Sequence, residues 1–157
     1  MAWTGSKIFR PFLGAVFGNN TAHDLESDIP KVTLWDNDIT PDANVTEANS
    51  ALGAGQWVSA GNEVFEAGQW AQGGVALSSP TLNTGSANVV FYDAADTESG
   101  TAADLPNVYG VHVNNDTITT PVADPGICFN YLGGLNAVVN GKLTIQWHGS
   151  GIWQVTI

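Results

Sequence analysis

The sequence predicts a mainly β protein: a single antiparallel β-sandwich or small barrel with one short helix and an extended N-terminal arm. Three observations carry this expectation. Only 12% of the residues are charged, while 18 glycines, six Trp, six Phe and three Tyr accompany abundant Ser, Thr, Asn and Gln. That balance suits strands better than helices, which draw on long-chained residues. Short apolar-polar alternations recur between turn clusters of Gly, Asn, Asp and Pro. Finally, 157 residues are most simply one domain, long enough to bury about two-thirds of the unfolded surface.

Residues 1–29 form the first unit. They are rich in Gly and aromatics and show no sustained period of 2 or 3.6. We read them as an extended arm that docks elsewhere; about 28 extended residues reach roughly 90 Å. Its partner-binding candidates are Trp3, Lys7, Phe9, Arg10, Phe12 and Phe17. The alternative is an N-terminal strand of the same domain. The opening MAWTGSKIFRPFLGAVFG imitates a signal peptide, but Arg10 and Pro11 cut its apolar run to Phe12–Gly18. A run that short is at the limit of a signal-peptide core, so none is expected.

The β domain spans residues 30–157. KVTLW alternates Val32 and Leu34 against Thr33 and Trp35, then stops at DNDITPDAN. Asp42 is placed to cap one short helix through ANVTEANSAL, with Glu47 near its first turn. The tetrapeptide Ala-Gly-Gln-Trp then occurs twice, at 54–57 and 67–70, with Glu63 and Glu66 between the copies. Further strands are predicted at 73–77, 87–93, 108–113, 126–132, 142–148 and 151–157. The last two form the clearest hairpin. Leu143, Ile145 and Trp147 alternate with polar residues, Gly149-Ser150-Gly151 turns, and Trp153, Val155 and Ile157 resume the alternation. A final strand ending in Ile is expected to be paired, because a bare apolar edge invites aggregation.

Charge narrows the range of functions. Four Lys or Arg face 15 Asp or Glu, a formal net charge of −11, and positions 32–141 hold no cation at all. Such a body repels phosphate backbones, so nucleic acid is not an expected partner. The bland reading of the excess acid is solubility; the sharper one sets the acidic body to solvent and the basic N-terminus against an acidic partner. No apolar run approaches the ~18 residues of a membrane span, so no membrane is expected.

Few residues suggest chemistry. No phosphate-cradling glycine loop occurs. His23, His112 and His148 are far apart, and the single Cys128, in the apolar run GICFNYL, reads as a small buried hydrophobe. Asp36-Asn37-Asp38 and the Asp93, Asp96 and Glu98 loop gather oxygens as a Ca²⁺ site does, yet Asp and Asn also end strands by bonding their own backbone. Glu63 and Glu66 resemble a glycosidase acid pair, with Trp57 and Trp70 beside them to stack on sugars. Two glutamates three apart do not face each other across a substrate, so they read as hydrogen-bonding or solvated groups. Trp57 and Trp70 read instead as core or interface anchors. The sequons at Asn19, Asn44 and Asn115 are expected to be chance in an Asn- and Thr-rich chain. No catalytic residue, cofactor or metal is expected.

The order of motifs from Val32 to Ile157 resembles small structural proteins of tailed bacteriophages, especially those of actinobacteria. The succession runs KVTLWDNDITPDANVTEANSA, NEVFEAGQWAQGGVAL, VVFYDAADTESG, VYGVHVNND, CFNYLGG and LTIQWHGSGIWQV. Each motif is weak alone; their order is more specific. The resemblance implies a non-enzymatic virion protein, foremost a capsid decoration (cementing) protein on the capsid exterior, made in the host cytoplasm. It would bind the major capsid protein and copies of itself, and trimers at threefold positions are the expectation by analogy. A minor tail or baseplate protein is the alternative within the virion. A carbohydrate-binding module using exposed Trp57, Trp70 and Trp35 is the alternative outside it.

Overall fold

The computed structural model describes residues 3–86 and 88–156. The chain is mainly β with antiparallel sheets, as the sequence predicts. The largest sheet has the order β1-β9-β8-β2-β3, from β1 (Lys7–Ile8), β9 (Gly126–Gly141), β8 (Ala103–Asn115), β2 (Pro30–Trp35) and β3 (Glu63–Val64), and β4 (Val75–Ala76) also pairs with β2. A three-stranded sheet has the order β11-β6-β5, from β11 (Trp153–Thr156), β6 (Val89–Asp93) and β5 (Thr81–Ser86). The pair β7 (Thr97–Glu98) and β10 (Thr144–Ile145) completes the strands among the described residues.

β2 is central and buried on both faces, so its alternation does not separate core from solvent. Val32 and Leu34 stand in register with Val113 and Val111 of β8. On the opposite face, Thr33 is in register with His112 and Trp35 with Gly110; β9 continues both rows with Phe129 and Tyr131. That face is covered by the N-terminal segment, and Trp3, Phe9 and Phe12 are all core residues. The Trp3 ring lies over Gly110, where a Cβ would come within 2.4 Å of it. It stacks on Tyr131 and meets Trp57 edge-on. Its indole N–H donates to the Asp36 carbonyl at 2.6 Å.

The expected extended arm is therefore corrected. Residues 3–18 belong to the domain: β1 pairs with β9, and a nine-residue helix, α1 (Arg10–Gly18), follows. The physical reason is that the second face of the large sheet has to be covered, and the aromatic segment covers it. No period was visible because α1 buries only a narrow stripe, Phe12 and Ala15. Its ends were nonetheless encoded. Pro11 sits in the first turn, and Asn19 takes a left-handed conformation at φ 51° just beyond the end. The Asn20 and Asn19 N–H groups close back on the Ala15 and Val16 carbonyls, the double bond of a Schellman end.

Two short helical turns follow, so the one expected helix becomes three among the described residues. α2 (Glu47–Ser50) is capped by Thr46, whose hydroxyl accepts from the Asn49 N–H at 3.3 Å, and not by Asp42. Asp42 instead accepts from Asn44, closing a turn ahead of the helix. α3 (Ser59–Asn62) is interrupted by the positive φ of Gly61.

The predicted closing hairpin is also corrected. Its turn exists, with the Gly151 N–H donating to the His148 carbonyl at 2.7 Å. Its arms diverge: Thr144 and Ile145 pair with Glu98 and Thr97, whereas Trp153–Thr156 pair with Tyr92–Val89. Alternation identifies a strand's faces, not its neighbour. Ile157, the end of the predicted strand, and Ala87, the start of another, lie outside the described residues.

Both Ala-Gly-Gln-Trp copies close tight turns that deliver a Trp into the core. In the first, Ala54 accepts from the Trp57 N–H at 2.8 Å with Gly55 at φ 55°. In the second, Glu66 and Trp70 exchange both backbone bonds around Gly68 at φ 80°. The surroundings differ, however: a Cβ on Gly55 would meet the Asn49 carbonyl at 2.5 Å, while Gly68 faces open space. Gly55→Ala is therefore expected to cost about 3 kcal/mol and Gly68→Ala about 1 kcal/mol. Urea midpoints of the two variants check the order.

Candidate interaction surface

The predicted site residues separate into two groups. Trp3, Phe9, Phe12, Trp57 and Trp70 are buried core residues and offer no surface to a partner. Trp57 is the hub of an aromatic cluster, stacked on His112 at 4.3 Å and edge-on to Phe9 and Trp35. Lys7, Arg10 and Phe17 remain exposed. Phe17 projects from the last turn of α1 with 82% of its surface in solvent, beside Val16 at 43%. Trp35 is fully buried as well, so none of the three Trp expected to stack on sugars presents a face.

Most of the carboxylates that resembled a site accept hydrogen bonds from backbone N–H groups. Glu63 accepts from the Gly73 N–H at 2.7 Å and Glu66 from the Asp104 N–H at 2.5 Å. Asp36 accepts from Asp38, Asp93 from Ala94 and Asp96 from Trp147. Glu98 forms an ion pair with Lys142. Among the described residues no cluster of three His, Cys, Asp or Glu could hold a metal ion. Likewise, no helix among them is long and apolar enough to cross a membrane.

The histidines are also structural. His112 is fully buried, and its Nε2–H donates to the Ser50 carbonyl at 2.8 Å. Burial pushes its pKa down to about 3, so the ring is neutral. His23 accepts at Nδ1 from the Asn115 amide at 3.2 Å and meets the Phe12 ring edge-on. Its partial burial outweighs the attraction of Asp28 and Glu47 and holds its pKa below the ordinary value. Cys128 is buried, and burial pushes its thiol well above the ordinary range. His148 lies in the exposed turn before β11, where it accepts from the Ser150 N–H.

An apolar groove of 590 Å³ lies between α1 and the β11-β6-β5 sheet. Phe12, Leu13, Val16 and Phe17 form its helical wall. Leu82, Val90, Trp153 and Val155, one row on each of the three strands, form the opposite wall. The segment between α1 and β2 closes one side with His23, Asp24, Leu25 and Glu26. Local bonds fix that segment. Asp24 accepts from Glu26 and Ser27, and Glu26 accepts at 3.3 Å from the outward N–H of Leu82 on the edge strand β5.

The electrostatics of this surface are one-sided. Asp24 and Glu26 are exposed at the groove, and among the described residues no Lys or Arg lines it. Two of the chain's four cations are held elsewhere, Lys31 by Asp116 at 2.8 Å and Lys142 by Glu98. Lys7 lies at a separate, more polar depression with Asn130 and Gln154. Phe17 is among the residues the sequence singles out, but Val16 and the sheet wall are not, and the wall's residues lie 65 and more positions from Phe17. A signal for the helix was present in Pro11 and Asn19; none existed for its pairing with β5, β6 and β11. No family model, characterised protein or solved structure matches the chain.

Proposed function

We propose that the protein is a non-enzymatic structural component of a tailed-phage virion, a capsid decoration protein seated on the lattice of the major capsid protein. The observation that carries this reading is the exposed Phe17 and Val16 beside an apolar groove, on a chain of net charge −11. Apolar surface of that kind marks an interaction site when it is contiguous. The ordered motif succession from Val32 onward supports the virion setting, and a β domain bound in many copies would hold a lattice through many individually weak contacts. In this reading Phe17, Arg10 and Lys7 meet the partner, while Trp3, Phe9 and Phe12 build the domain that presents them.

Quantitative mass spectrometry of purified particles tests the proposal. A decoration protein is expected at hundreds of copies per particle, on the outer capsid surface by cryo-EM. A handful of copies, or density confined to the tail, would replace it with the tail or baseplate reading. Absence from particles would end the virion reading altogether.

A further inference from the structure

We propose that the groove between α1 and the β11-β6-β5 sheet is the docking slot for an apolar segment of the partner that carries Lys or Arg beside its apolar residues. The identity of that partner as a capsid protein rests on the function proposed above; the chemistry of the slot does not. Three observations select this occupant.

The first is shape. A 590 Å³ groove walled by aliphatic and aromatic side chains on both sides accepts more than one apolar side chain. Phe17 stands at its rim with 82% of its surface exposed. A small molecule inside the groove would cover only the inner side of that ring, whereas a chain segment lying across it covers groove and ring together. The second is charge. The groove's charged residues are Asp24 and Glu26, within a surface of net charge −11. A basic flank on the incoming segment is complementary to them and speeds encounter. This is the opposite, at this site, of the sharper of the two charge readings, which set the basic N-terminus against an acidic partner; the solubility reading of the acidic body is untouched. The third excludes a second copy as the occupant. Two copies meeting through this groove would bring both pairs of acids and two −11 bodies together, with no Lys or Arg in either lining. Strand addition at β5 is blunted as well, because the Glu26 carboxylate already occupies an outward N–H of that edge.

The test uses the full chain and two labelled synthetic helical peptides, one of Leu and Lys and one of Leu and Glu with the same apolar face. Fluorescence anisotropy is expected to show the Leu/Lys peptide binding at least tenfold more tightly. Leu82→Lys places a cation in the sheet wall and should weaken that binding at least tenfold. Phe17→Ser should weaken it several-fold, and its side chain is too exposed for the change to threaten folding. Val139→Lys makes the same charge change on β9, at a residue 81% exposed and outside the groove. It should shift affinity less than twofold. Equal losses for Leu82→Lys and Val139→Lys would overturn the slot, since binding would then be diffuse attraction to an acidic protein. Equal binding of both peptides would overturn the basic flank. A dimer in sedimentation that Phe17→Ser dissociates would hand the groove to a second copy. Particle occupancy separates the two proposals. Undiminished incorporation of Leu82→Lys and Phe17→Ser sinks the slot and spares the virion reading; groove-dependent peptide binding by a protein absent from particles does the reverse.

Discussion

Trp3→Ala is expected to destabilise the isolated chain by about 3–5 kcal/mol, the range for emptying a large aromatic site in a core. The ring is only 3% exposed and rests on the Cα of Gly110. It is sandwiched among Tyr131, Phe129 and Trp57, and its N–H is the partner of the Asp36 carbonyl. Truncation leaves a cavity over rigid β8 and strips that carbonyl of its donor, two costs that add. Domains of this size have only about 5–15 kcal/mol in hand, so the variant should be partly unfolded near physiological temperature. Equilibrium urea unfolding of the purified chain, with no partner present, reads the effect. A docking arm would give the opposite result, an unchanged midpoint in isolation and a loss only on particles. Phe17→Ser serves as the internal contrast, with an expected change within about 0.5 kcal/mol because the residue is exposed.

Acid sensitivity centred on His112 is the second large effect. The ring is buried against Trp57, Phe9 and the Ser50 carbonyl, and burial holds its pKa at about 3 against an ordinary 6.5. The folded state thus refuses a proton that the unfolded chain accepts. Its contribution is complete above pH 6.5 and is lost as pH falls from 6.5 toward 3. At 1.36 kcal/mol per pH unit the loss reaches about 5 kcal/mol by pH 3. Asp36 and Asp124 act in the opposite direction, because burial raises their carboxyls, but both are only half-buried. Unfolding free energies at pH 7, 5.5 and 4 should therefore fall steeply. His112→Phe keeps the stack on Trp57 and removes the titrating group. It should cost about 1–3 kcal/mol at pH 7 through the lost bond to Ser50. Its stability curve should be flatter and should cross that of the parent as pH falls. Parallel curves would show that acid sensitivity resides elsewhere.

The β class, the turn positions and most strand centres were legible in the chain, since composition and a period of 2 are local properties. Val89–Asp93 and Gly126–Tyr131 lie where alternation and apolar runs put them. β5 was not legible because its residues, TLNTGS, carry no apolar rhythm; it exists because β6 offers it an edge. The second half of β9 was missed for a different reason. Gly133 and Gly134 both take positive φ and interrupt the register between Tyr131 and Asn136, so a glycine pair that reads as a strand end is a bulge.

The candidate site divides the same way. That Phe17 is apolar, that α1 has a start and a stop, and that the body is acidic are facts of the linear chain. Whether an aromatic residue of the first eighteen becomes core or surface is not. Trp3 goes inward because Gly110, 107 positions later, leaves room for its ring. Phe17 stays outward because the buried stripe of α1 is only Phe12 and Ala15. The groove exists only where that helix and the β11-β6-β5 sheet approach each other. Burial is a property of pairs of surfaces, and two surfaces distant in sequence meet only in the folded chain.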